Sequence, residues 1–245
     1  AAGAFVVHET GPAGDPYDVV KGNTGEKFDL VTADRNMGRV AVEGWMTREQ
    51  AEALLAMSGH DFEALKAAAA TREFEPVPLG TTASMVLRNA LRTVSSQNVV
   101  ARVEGGDPAI KDEHVIYMAH WDHLGRGAAV DGDDIYNGAV DNATGTAGLI
   151  EIGRAFASLS PPPRRSILLL AVTAEEQGLL GSQHYAVAPL YPLEKTLAAI
   201  NMDGLNVLGR TRDLTVIGLG NSELDDYARL AAAGQGRILR PDAEP

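Results

Sequence analysis

Four short stretches of the chain carry the residue types from which a metal centre is built. In SILLLAVTAEEQGLLG (Ser166–Gly181) an apolar run ends at Val172, and the adjacent carboxylates Glu175 and Glu176 follow three residues later. Two carboxylates side by side can divide labour, one holding a metal ion while the other moves protons. His120-Trp121-Asp122 offers a neutral imidazole, a good zinc ligand, with Asp122 placed to fix its tautomer through the other ring nitrogen. Asp141-Asn142 lies between Gly138 and Gly145, where a carboxylate can bridge two cations, and Asp203 sits in Asn201-Met202-Asp203-Gly204. Each stretch alone also has a plainer reading: a solvated acidic turn at Glu175-Glu176, a helix N-cap at Asp141, a turn residue at Asp203.

The elements around these residues decide between the two readings. Asn98–Val103, His114–Ala119, Ile167–Val172, Leu197–Met202 and Leu214–Ile217 are short apolar runs that read as strands, and the central one is continuous enough to be buried on both faces. Between them Gly145–Leu159, Leu179–Val187 and Glu223–Ala233 have helical spacing. Strands alternating with helices imply a mostly parallel sheet flanked by helices. In such sheets the ligand crevice lies beyond the carboxyl ends of the strands. His120, Glu175, Glu176 and Asp203 follow strands, and Asp141 opens a helix. One histidine and four carboxylates on one edge of one sheet favour a joint metal site.

The N-terminal third is different. Ala4–His8 and Arg39–Trp45 read as strands, separated by a Gly/Pro/Asp-rich loop through Gly25. Thr47 and Gln50 form a capping box before one helix, and Asp61 caps a second. Thr81–Val94 reads as an extended segment leading out. No His, Asp and Glu cluster at ligand spacing occurs here, and His8 and His60 read as structural or surface residues. The chain therefore divides into an accessory module over residues 1–94 and a catalytic module over 95–245.

Composition narrows the partners. A net charge of −12 over 245 residues argues against nucleic acid or an anionic membrane surface. No apolar run has membrane-spanning length, and the absence of cysteine excludes disulfides, thiolate metal sites and cysteine nucleophiles. Competing motifs fail. H-E-x-x-H is missing, and Asp131-Gly132-Asp133 starts like a calcium loop but has Ile135 and Tyr136 where a ligand and glycine are needed. Gly218-Leu219-Gly220 lacks the last glycine of a dinucleotide loop.

Taken in order, AHWDH (Ala119–His123), AVDNATG (Ala139–Gly145), TAEEQGLLGS (Thr173–Ser182) and NMDG (Asn201–Gly204) resemble the motifs of di-zinc exopeptidases of the bacterial leucyl aminopeptidase and glutamate carboxypeptidase group. The N-terminal third, through GAFVVHE, resembles the protease-associated domain that some members carry. The resemblance implies that His120 and Asp203 hold one zinc, Glu176 the other, and Asp141 bridges them. It makes Glu175 the general base, Asp122 the partner of His120, and the Asp141–Asn142 peptide bond cis. The two ions in such sites lie about 3.5–4 Å apart and activate a bound water.

No histidine follows His184, so a second histidine ligand further along is missing and one complete ligand set remains in the chain as given. Both ends are read as cut.

The function this implies is a zinc-dependent aminopeptidase acting on peptides, periplasmic or secreted. The alternatives are a metallocarboxypeptidase for short acidic peptides, for which Asn221 in GLGNS resembles a substrate-carboxylate contact, and a peptidase-like binding module without catalysis. Loss of Glu175 or Asp141 would have signalled the last; both are present.

Overall fold

The computed structural model describes residues 2–22 and 26–241; the end of the loop expected to run through Gly25 lies outside them. The chain forms two compact units, Ala1–Gln97 with Thr173–Leu190, and Asn98–Val172 with Tyr191–Pro245. In the first lie β1 (Gly3–His8), α1 (Thr10–Ala13), α2 (Tyr17–Gly22), β2 (Val42–Thr47), α3 (Arg48–Met57) and α4 (Phe62–Ala69). The second begins with β3 (Val99–Val103), β4 (His114–His120), β5 (Gly125–Val130), β6 (Asp133–Tyr136), α5 (Ala143–Ala157) and β7 (Ser166–Val172). After α6 (Leu180–Val187) in the first unit, the second resumes with β8 (Thr196–Asn201), β9 (Asp213–Val216), α7 (Leu224–Gly234) and β10 (Ile238–Pro241).

The second unit is built on a four-stranded sheet in the order β3-β7-β4-β8. Strands β7, β4 and β8 run parallel and β3 pairs antiparallel at the edge, giving the mixed α/β, mostly parallel arrangement expected. Ile116 and Ala119 of β4 and Ile167, Leu168, Leu170 and Val172 of β7 are all buried. That is why these strands read as unbroken apolar runs: a central parallel strand has no face turned to water. Helix α5 lies on β4 and β7, with Leu149 buried and the Phe156 ring 5.7 Å from Tyr117. Burial of a side chain such as Leu168 is worth about 1.5–3 kcal/mol, and this core fixes where the strand ends fall. At the opposite end of the sheet His114 is buried and bonds Thr196 Oγ1 through Nε2 at 2.7 Å, a structural tie between β4 and β8. A separate β9-α7-β10 crossover pairs its strands in parallel.

In the first unit β1 and β2 form a parallel pair, with Gly3 opposite Val42 and His8 opposite Thr47. The capping box is formed: Gln50 N donates to Thr47 Oγ1 and Thr47 N to Gln50 Oε1, at 3.2 and 3.0 Å. The Asp61 carboxylate likewise accepts from Ala64 N. Each cap is worth about 1 kcal/mol. Glu9 joins β1 to both helices through Arg48 and Lys66. His8 is buried against the Tyr17 and Trp45 rings, a structural role.

One local expectation is corrected. The Gly/Pro/Asp-rich stretch after His8 is not a plain loop, because it holds α1 and α2. Pro12 falls in the first turn of α1, where a missing N–H costs nothing, and Asp18 and Lys21 complement the dipole of α2. Gly125–Tyr136 is a β5–β6 hairpin. Its two-residue turn places Asp131 and Gly132 at φ 53 and 89, which suits an Asp-Gly pair. Among the described residues no helix is long and apolar enough to cross a membrane.

Candidate metal centre

Strand β4 ends at His120 and β8 at Asn201, and the β4–β8 register pairs Met118 with Asn201. Met202 N continues the ladder to Met118 O at 2.8 Å, so Asp203 turns away just beyond the sheet beside His120. Asp141 precedes the N-cap of α5, the helix that lies on the same strands. His120 Nε2 is 3.1 Å from Asp141 Oδ1 and 3.1 Å from Asp203 Oδ1, and the three ligand atoms lie within 4.8 Å of one another. The imidazole is 1% exposed, whereas the Asp141 and Asp203 side chains are 52% and 45% exposed. A buried nitrogen thus faces two carboxylates that water and ions can reach.

Hydrogen bonding fixes how the imidazole is used. His120 Nδ1 lies 3.0 Å from the Asp122 main-chain oxygen, which can only accept, so Nδ1 carries a proton. The Asp122 carboxylate expected in this role is 4.0 Å away; the residue orients the ring through its carbonyl. Nε2 then faces two carboxylate oxygens, and a cation placed among the three would be held by all of them. Ligands held at about 2.0–2.2 Å in a tetrahedron stand about 3.3–3.6 Å apart, a little wider than the 3.1 Å separations from Nε2. One imidazole and two carboxylates fit a catalytic-type zinc site with an open position.

The loops carrying these ligands are tied together by the start of α5. Asn142, 1% exposed, accepts from Gly145 N at 3.0 Å and Gly204 N at 3.2 Å and donates to Met202 O at 2.9 Å. Asn142, not Asp141, is therefore the N-cap, leaving the Asp141 carboxylate for the site. The Asp141–Asn142 bond is cis. Gly145 has no substitute here, since a Cβ on it would lie 2.4 Å from Asn142 Oδ1 and 2.8 Å from Met202 O. Gly138, at φ 65, meets His123 as closely: a Cβ would stand 2.7 Å from that of His123. Thr146 Oγ1 donates to His120 O, and Thr144 Oγ1 accepts from Leu205 N. Asn142, Thr144 and Thr146 were not singled out by sequence reasoning. Only the N-cap preference of Asn marks the first, and nothing in periodicity marks the threonines.

Glu175 and Glu176 belong to the other unit, in the loop Thr173–Leu179 that follows β7 in the chain. Leu180 N to Ala174 O, Gly181 N to Thr173 O, and the amides of Gly178 and Leu179 to Glu175 O hold this loop in shape. Ala174 and Leu179 have φ of 53 and 61 without being glycine. Such residues cost about 1–2 kcal/mol each and persist only where surroundings enforce them, often beside functional groups. Asn221 lies in the turn before α7, its amide bonded to Gly218 O. The structure thus gathers His120, Asp122, Asp141 and Asp203 in one unit, and presents the glutamates and Asn221 on separate loops.

Residues 98–245 match the profile of peptidase family M28. The chain belongs to this family. The M28 match contains every candidate residue named above. Among curated relatives, mouse Aminopeptidase NAALADL1 is 36% identical over 139 residues, covering 53% of this chain and 17% of that protein. The probable glutamate carboxypeptidase AMP1 of Arabidopsis thaliana is 32% identical over 124 residues, covering 49% of this chain and 16% of that one. The chain thus spans about a sixth of the length of these relatives. A zinc aminopeptidase from Bacillus subtilis, solved as a crystal structure, shares 29% identity at a TM-score of 0.45, with 60% of this chain and 35% of that one covered.

Proposed function

We propose that the chain carries the metal-binding core of a zinc-dependent exopeptidase that removes N-terminal residues from peptides. The observation that carries this reading is His120 Nε2 lying 3.1 Å from two carboxylate oxygens, while Nδ1 faces a main-chain carbonyl. M28 membership supports a peptidase, and the printed name of the mouse relative supports aminopeptidase chemistry. His120, Asp141 and Asp203 would hold one ion, with Asp141 shared and Glu176 serving a second. Bound zinc would supply Lewis acidity that polarises a scissile carbonyl and acidifies water. Glu175 accepts the proton of the attacking water and returns it to the leaving amine. Asp122 keeps His120 in the tautomer that frees Nε2 for the ion.

The family match begins at residue 98, which supports placing the chemistry in the 95–245 module; reading residues 1–94 as a protease-associated accessory module rests on the resemblance alone. A periplasmic or secreted setting rests on the resemblance alone. A carboxypeptidase reading is favoured by one observation, the Arabidopsis relative, and would give Asn221 a substrate carboxylate to bind. Assay of the complete protein with zinc on matched peptides decides between them. Cleavage that requires a free N-terminus supports the aminopeptidase, and cleavage of N-blocked peptides from the carboxyl end supports the other. Hydrolysis of neither refutes both.

A further inference from the structure

We propose that Thr144 and Thr146, in the first turn of α5, are positioning residues that set the spacing of the His120, Asp141 and Asp203 ligand atoms. The proposal rests on reading that cluster as a metal site. Thr146 Oγ1 donates to the main-chain oxygen of His120 itself at 3.1 Å. Thr144 Oγ1 donates to Val140 O at 2.6 Å, just before Asp141, and accepts from Leu205 N at 2.9 Å, two residues past Asp203. Two hydroxyls on one helical turn therefore pin all three ligand loops to a single rigid element.

The bonding pattern is specific to this use. A helical threonine ordinarily turns its hydroxyl back to the carbonyl four residues earlier. Thr144 does so, but its oxygen has a lone pair left for the Leu205 amide. For Thr146 that carbonyl, Asn142 O, already receives the Thr146 backbone N–H at 3.1 Å, and its hydroxyl reaches across to β4 instead. Both side chains are half-buried and both hydroxyls are engaged by main-chain groups. They act on the metal through the position of other residues. Removing an outer partner of a metal ligand commonly weakens metal binding by about 10–100-fold.

The test compares the full chain with its T144V, T146V and T146S variants, because valine keeps the β-branched shape without the hydroxyl. Three quantities are read: zinc affinity by chelator competition, the visible absorption of the cobalt-loaded protein, and the melting temperature without metal. We expect T144V and T146V to weaken zinc by about 10–100-fold and to shift the cobalt bands with little change in metal-free melting, and T146S to restore affinity and spectrum. Valine variants that bind zinc like wild type would overturn the proposal. So would a serine variant as weak as valine, or affinity losses that merely follow loss of metal-free stability. A wild-type chain that binds no zinc would instead refute the metal reading on which the proposal stands.

Discussion

His120 and Asp203, 83 positions apart in sequence, bring Nε2 and a carboxylate oxygen to 3.1 Å. The pairing follows from strand register. Met118 lies opposite Asn201 on neighbouring parallel strands, so the two residues leave the sheet at the same end. Asp141 joins them from just before the start of α5, which packs on the same strands. Sheet, register and helix together convert three distant residues into one ligand set.

If the two glutamates divide their work as proposed, isosteric changes at neighbouring positions should have opposite signatures. In the complete protein Glu175→Gln should keep zinc but lower kcat by about 100–10,000-fold, since an amide cannot accept the proton from water. Glu176→Gln should lower zinc content first. Metal analysis beside steady-state kinetics checks this, and the reversed pattern would exchange the two assignments.

Gly145 tests how tightly the ligand loops depend on the helix start. Alanine gains about 1 kcal/mol over glycine in helix propensity, but its Cβ would meet Asn142 Oδ1 at 2.4 Å. Overpacking costs about 1–3 kcal/mol, and displacing Asn142 also disturbs its bonds to Gly145, Gly204 and Met202, each worth about 1 kcal/mol. The clash wins: Gly145→Ala should lower stability by about 1–3 kcal/mol in denaturant titration and should weaken zinc binding. A stabilised variant would show that the Asn142 cap is dispensable.

Asp107 predicts part of the acid sensitivity. The Arg164 guanidinium, bonded at 2.9 and 2.8 Å, and then the Ala109 amide hold its carboxyl below the ordinary Asp value. A depressed folded-state pKa stabilises above the unfolded value, and that contribution disappears as pH falls through the folded one. Melting temperature should therefore fall less steeply for Asp107→Asn than for wild type between about pH 5 and about pH 3. Parallel profiles would mean that the pair, exposed on the arginine side, adds nothing.

The parts of this molecule that a sequence reader can see are those with one dominant local cause. Ile167–Val172 is buried on both faces and therefore unbroken, and Thr47 with Gln50 satisfy each other's backbone groups within one turn. The stretch after His8 was opaque because Gly11, Pro12 and Pro16 signal a turn as strongly as a helix start. The Asp131-Gly132 pair carries a hairpin signal, but its acidic spacing also resembles the start of a calcium loop, and only the pairing of β5 with β6 separates the two. At the site, residue types and strand ends were legible for His120, Asp141 and Asp203. The linking roles of Asn142, Thr144 and Thr146 were not, because they depend on contacts to residues about 26 to 62 positions away. The use of the Asp122 carbonyl in place of its carboxylate is likewise a matter of geometry that residue type does not report.

The account turns on whether His120, Asp141 and Asp203 hold a metal ion together. Zinc affinity of the wild-type chain and of Asp203→Asn, measured by competition with a chromogenic chelator, tests this most directly. The substitution keeps size and removes one anionic ligand from a half-exposed position. The account predicts tight binding by wild type and a loss of at least about tenfold in the variant. Equal affinity in the two proteins, or no tight binding by wild type, would contradict it.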